Sequence, residues 1–335
     1  MRAILSIVPE DGWLQERTGR RRLRRRRGPF LVIAATLAAT ACESAGGAAP
    51  GDGGTAPGDG AKISVVASFY PLAYVAQRVG GDLVTVTNLT PPGVEPHDLE
   101  LAPQDLEAIA TADVVVYLGG GFQPVVEEAV EAEATGVTID VAEGVDLLPA
   151  ASDDDGIGGG PGDPHVWLDP TLYAGVVDRV GAALGEVRAA DAETFRANAR
   201  QLDAELSALD EEFRQGLADC GTRVLITNHS AFGYLAAAYD LEELAIAGVS
   251  PESEPDPERI AELAALARGR GVTTIFAEDL VSAEVAEILA AEAGLATAVL
   301  SPLEGLTEAQ LAAGDHYLSV MRRNLETLRD GLVCG

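Results

Sequence analysis

The sequence has one lysine (Lys62), two tryptophans, two methionines and three cysteines, and aromatic residues fill only 5% of its 335 positions. Cations are scarce: 53 acidic residues face 23 basic ones, for a net charge of -30. Few basic side chains and few stacking rings exclude a nucleic-acid-binding surface. HExxH, GxxxxGKS/T and GxSxG are all missing, which removes the common zinc-protease, phosphate-loop and nucleophile-elbow readings. Gly119–Gly121 follows the strand-like VVVYL but has no lysine behind it, so it reads as a turn. No apolar run approaches the ~20 residues that span a bilayer. What is present is 47% hydrophobic residues, enough for a sizeable core in one large or two ordinary domains.

The charge is split. Up to Cys42 there are nine arginines and three acids; beyond it, 14 basic and 50 acidic residues. The Arg20–Arg27 run, the apolar stretch Phe30–Ala41 and the small residues before Cys42 form an export signal over residues 1–41. Ala39-Thr40-Ala41-Cys42 resembles a bacterial lipobox with Ala39 where leucine is preferred, so Cys42 is expected to carry lipid. The alternative is a plain secretory signal cut near Ala41. Residues 42–61, rich in small residues, Gly, Pro and acids, then read as an anchor and flexible linker. Lipid on Cys42 leaves Cys220 and Cys334 as an even pair in an oxidising compartment, and a disulfide between them is expected.

From Lys62 onward, short apolar strands alternate with helical stretches, the pattern of parallel βα units. Two such series occur, over 62–188 and 219–335. Between them, in 189–218, Phe195, Leu202, Leu206, Leu209 and Phe213 recur on one face of a long helix expected over Asp191–Leu217. Another helix is expected over Asp169–Leu184, and the last over Leu311–Leu328. The fold class is therefore α/β: two βα lobes with parallel sheets, joined by a long helix. Residues 149–164, with a triple Asp and five glycines, read as a mobile acidic loop.

Only four histidines exist. His97 lies on a Pro/Gly-rich loop after a strand, His165 on a loop before a helix, and His229 directly after a strand at the mouth of a helix. His316 reads as a surface residue. Ligands of open α/β sheets bind outside the carboxyl ends of strands, so a cleft between the lobes would gather His97, His165 and His229. Three neutral imidazoles suit Zn²⁺, with a fourth position for a carboxylate or water. Glu95, Asp98, Asp163 and Asp169 are candidates to orient the rings.

Several segments carry a family likeness: ASFYPLAYVAQRVGGD, GVEPHDLELAPQDLEAIATADVVVYLG, DPHVWLDP, NHSAFGYLAAAYDL, GVSPESEPDP and MRRNLETLRDGL. In this order they resemble the zinc/manganese-type solute-binding lipoproteins of ABC importers, from about Ile63 to the end. The resemblance implies one metal in the interlobe cleft, with His97, His165 and His229 at the first three ligand positions. The manganese-type members commonly have Glu at the third, so His229 favours Zn²⁺ over Mn²⁺ as the transported ligand. Two departures stand out. The family's usual fourth ligand, Asp, is replaced by Ser301, which leaves Glu278, Glu304 or water. The loop before His165 lacks the His-rich tract of many zinc-type members.

The expectation is a non-enzymatic, lipid-anchored, monomeric protein of the cell envelope. It captures Zn²⁺ and delivers it to a membrane permease and its ATPase. A three-His zinc hydrolase and a metal-binding adhesin are the alternatives.

Overall fold

A computed structural model describes residues 61–149, 162–251 and 257–335. The expected export signal, Cys42, the expected linker up to residue 60 and most of the segment read as an acidic loop lie outside the described residues.

The first lobe runs β1 (Ile63–Ala67), α1 (Tyr70–Gly80), β2 (Val84–Asn88), α2 (Pro103–Thr111), β3 (Val114–Tyr117), α3 (Pro124–Glu133) and β4 (Val137–Asp140). Its four strands are all parallel, in the order β2-β1-β3-β4. Val114, Val115 and Val116 of β3 are all fully buried, as a strand covered on both faces requires. At the edge, β2 alternates buried and exposed positions. Proline occupies the first turn of α1, α2 and α3, where its missing N–H costs no helical hydrogen bond.

Two helices then lead out of this lobe: α4 (Pro170–Val187) and α5 (Ala192–Gly216). The 25 residues of α5 span roughly 37 Å. Its five large apolar residues are all buried, and it packs along α1, α4 and the last helix.

The second lobe repeats the plan with β5 (Val224–Thr227), α6 (Gly233–Ala238), β6 (Glu242–Ala245), α7 (Pro257–Arg270), β7 (Thr274–Ala277), α8 (Glu284–Ala293) and β8 (Ala296–Val299). The order β6-β5-β7-β8 is again all parallel. In each sheet the chain reverses direction of travel beside its first strand, and the loops leaving the carboxyl ends of β2 and β5 carry His97 and His229.

The single terminal helix expected over Leu311–Leu328 is instead two, α9 (Glu308–Ala312) and α10 (Tyr317–Gly331). Gly314 adopts a left-handed φ of 82°, which ends α9. His316 then caps α10: its Nδ1 accepts from Ser319 N, and its own N–H donates to Ser319 Oγ. Exposed as expected, His316 therefore has a local structural role. Strand β6 also begins two residues earlier than its apolar pattern suggests, at Glu242.

One apolar core runs from β1 and α1 through α4 and α5 into α6 and α10. Separate cores lie under α2 and α3 and under α7 and α8. The Cys220–Cys334 disulfide closes a separation of 114 residues and fastens the C-terminus beside the exit of α5. The backbone bonds Gly221 N–Val333 O and Gly335 N–Asp219 O flank it.

Candidate metal centre

The loop after β2 carries His97. Thr90 Oγ1 donates to Ser68 O at 2.8 Å, and Gln123 Nε2 donates to Pro96 O at 3.2 Å. Glu95 Oε1 accepts from His97 N at 2.8 Å and caps the 3-10 turn Pro96–Asp98. The ring packs edge-on against Phe122, with centroids 4.6 Å apart.

His165 is fully buried. Asp163 Oδ1 accepts from the His165 backbone N at 2.9 Å and sits 2.7 Å from its Nδ1. A carboxylate at Nδ1 keeps the proton there and leaves the Nε2 lone pair for a metal. His229, also fully buried, repeats the device: Glu278 accepts from its backbone N and lies 2.8–2.9 Å from its Nδ1.

The three Nε2 atoms converge on a single carboxylate oxygen. Glu304 Oε1 is 3.4 Å from His97, 3.0 Å from His165 and 3.2 Å from His229. The four potential ligand atoms all lie within 4.8 Å of one another. Ligands held about 2.0–2.1 Å from zinc at tetrahedral angles are about 3.3 Å apart, so these contacts have the right edge length. His97 Nε2 is buried without a hydrogen-bond partner, as a nitrogen reserved for a cation would be.

The structure distinguishes the two carboxylates left open for the fourth position. Glu304 joins the histidines, and Glu278 stands behind His229. Ser301 turns away: its Oγ bonds Asp279, and its backbone exchanges hydrogen bonds with the Asn324 amide. Between Ser301 and Glu304 the chain makes a left-handed turn at Leu303, with φ 56°. Such a turn costs about 1–2 kcal/mol at a residue with a Cβ, and the fully buried Leu303 side chain anchors it. Among the other acids proposed to orient rings, Asp169 caps α4 through Thr171, and Asp98 is exposed.

The electrostatics follow from one ionised carboxylate among three rings. Burial opposes the charge of Glu304, but His229, His165 and His97 outweigh it and hold its carboxyl well below the usual range. Burial likewise opposes the charged forms of His165 and His229. For His165, Asp163 and Glu304 overcome that penalty; for His229, Glu278 and Glu304 do, so both rings are raised. Among the described residues no carboxylate stands behind His97, and burial lowers it. Burial and the charge of Glu304 push Glu95 up to about 9.

The chain matches the family of zinc-uptake complex component A, periplasmic (ZnuA), over residues 65–331. It belongs to that family. The zinc-binding protein AdcA of Streptococcus pyogenes is 37% identical over 286 residues, covering 80% of this chain and 56% of that protein. The high-affinity zinc uptake system protein ZnuA of Bacillus subtilis is 32% identical over 315 residues, covering 91% and 97%. The crystal structure of the Zn(II)-bound ZnuA-like domain of Streptococcus pneumoniae AdcA superposes with a TM-score of 0.70 at 34% identity, covering 81% of this chain and 99% of that one. The chain spans little more than half the length of the streptococcal AdcA relatives it matches.

Proposed function

We propose that this protein is the extracytoplasmic solute-binding component of a metal importer. It captures Zn²⁺ with His97, His165, His229 and Glu304 and hands it to a membrane permease driven by an ATPase. The observation that carries this reading is the convergence of three imidazole nitrogens on Glu304 Oε1 at 3.0–3.4 Å. A donor set of three nitrogens and one oxygen suits zinc better than manganese, which favours oxygen-rich sites. The names of the relatives point to the same ion.

The site is divided between the lobes. His97 comes from the first, His229 and Glu304 from the second, and His165 from the segment leading into α4. The lobes meet beside it through Gly93 N–Leu306 O at 3.0 Å and Trp167 Nε1–Pro302 O at 2.7 Å. Spreading these contacts by an ångström or two breaks the ligand set, so a docked permease can release the ion by separating the lobes. A fourth protein ligand would take the position that a metal-bound water holds in a zinc hydrolase, which supports transport over hydrolysis. The lipobox-like sequence supports attachment through lipid on Cys42 in the cell envelope, with the protein acting as a monomer.

The test is competitive titration of the purified protein with Zn²⁺ and Mn²⁺ against a chromophoric chelator. One tight zinc site, with manganese weaker, is expected. No tight zinc site, or manganese binding tighter, overturns the reading. Azide reaching the bound metal would favour the hydrolase.

A further inference from the structure

Glu242 and Glu243 are neighbours on β6, and their side chains leave the sheet on opposite faces. Glu242 points to solvent and pairs with Arg270 at 2.5 Å. Glu243 turns the other way, onto the loop between β5 and α6 that carries His229. Its Oε1 accepts from Phe232 N at 2.9 Å and lies 3.0 Å from Thr227 Oγ1; its Oε2 lies 3.4 Å from Ser230 Oγ. The Thr227 hydroxyl is also 2.9 Å from the His229 carbonyl oxygen. One carboxyl group therefore grips the loop before, beside and after His229.

The same group borders the support of a second histidine. Gly233, the first residue of α6, is wedged between Asp163 and Glu243. A Cβ there would lie 2.6 Å from Asp163 Oδ2 and 3.8 Å from Glu243 Oε2. Asp163 is the carboxylate that orients His165. Burial first, with a smaller push from Asp163, raises the Glu243 carboxyl to about 7.

We propose that Glu243 is a positioning residue for zinc, fixing the Thr227–Phe232 loop so that His229 Nε2 meets the other ligands. This rests on the zinc-capture reading above. Glu243 touches none of the four ligand atoms, so its effect passes through the loop backbone. What the loop requires of it is an acceptor for Phe232 N and a partner for two hydroxyls. Neutral glutamine meets both requirements; leucine meets neither.

The experiment measures zinc affinity by chelator competition, and metal-free melting temperature, for the purified wild type, Glu243→Leu, Glu243→Gln, Thr227→Val and Glu242→Gln. Glu243→Leu should weaken zinc by roughly 10–100-fold, the usual range for groups that orient ligands. Glu243→Gln should stay within about threefold of wild type on the same scale. Thr227→Val, which removes the hydroxyl between Glu243 and the His229 carbonyl, should weaken zinc, and it keeps the test open if Glu243→Leu fails to fold. Glu242→Gln controls for loss of a carboxylate from β6 and should leave zinc affinity unchanged.

Wild-type zinc affinity in both Glu243→Leu and Thr227→Val overturns the proposal. So does an equal loss in Glu243→Gln and Glu243→Leu, because net charge would then be the cause. A wild type that binds no zinc defeats the capture reading instead, so the two failures are distinguishable.

Discussion

Glu304 Oε1 stands 3.0 Å from His165 Nε2 across 139 positions of the chain. This contact joins the loop after β8 to the segment before α4 at the centre of the cluster. Glu304→Ala should weaken zinc by more than the roughly 100-fold upper range for groups that only orient ligands. Glu278→Gln, which alters the group behind His229, should fall within that range. Isothermal titration of both variants checks the order; a larger loss in Glu278→Gln would place the direct ligand wrongly.

Protons and zinc compete for the same nitrogens, and the direction of the pH effect follows. His165 and His229 are raised above the ordinary 6.5, and Glu95 is raised to about 9. From about pH 6.5 upward the folded, metal-free protein keeps protons that the unfolded chain has released. Stability from the two histidines is fully present below 6.5 and is lost as pH rises through their folded values; Glu95 adds a loss of the same sign up to about 9. The metal-free melting temperature should fall across this window, and the zinc-loaded one should fall less. Thermal unfolding of both forms tests it, and a metal-free melting temperature that rises would refute it.

Trp167 offers a direct optical reading of the site. It is buried, its ring centroid is 5.1 Å from that of His165, and its Nε1 donates to Pro302 O, two residues before Glu304. The only other tryptophan, Trp13, lies in the segment expected to be an export signal. Zinc should change tryptophan emission and saturate at one equivalent, and His165→Ala should abolish the change. A wild-type response that fails to saturate would place the ion elsewhere.

The disulfide makes the opposite prediction. Cys220 Sγ contacts Leu217 O, and the bridge pins the C-terminal residues rather than the metal cluster. In the chain-entropy model a loop of this length contributes about 4–5 kcal/mol. The Cys220→Ser, Cys334→Ser double variant should melt at a clearly lower temperature with unchanged zinc affinity. Loss of zinc binding in a variant that still folds would show a role beyond fastening the terminus.

Much of the fold was legible because its cues are local. Proline starts α1, α2 and α3, the valines of β3 announce a covered strand, and the apolar spacing of α5 places its ends within a residue of those found. The break before α10 was harder to read, since apolar residues on both sides of Gly314 mimic one continuous face. The histidines stood out by rarity and by their places on loops. Glu304 was named only as one alternative beside Glu278 and water, because 53 acids are available and the turn at Leu303 is what selects it. Glu243 was overlooked within an edge strand, although two adjacent glutamates there had to face opposite sides.

The core that runs unbroken from β1 through α5 into α10 bears on how a transporter could distinguish a loaded carrier from an empty one. Phe69, Leu209, Phe276 and Leu328 belong to the same packed body, so a wide swing of the lobes would tear the interior open. Within that shared core, an opening of an ångström or two at the ligand cluster changes little of the outline. Zinc instead adds two positive charges and expels protons at the cleft of a strongly acidic molecule. On the proposed function, the mark of the loaded protein would be a local change of potential at the ligand cluster more than a change of shape.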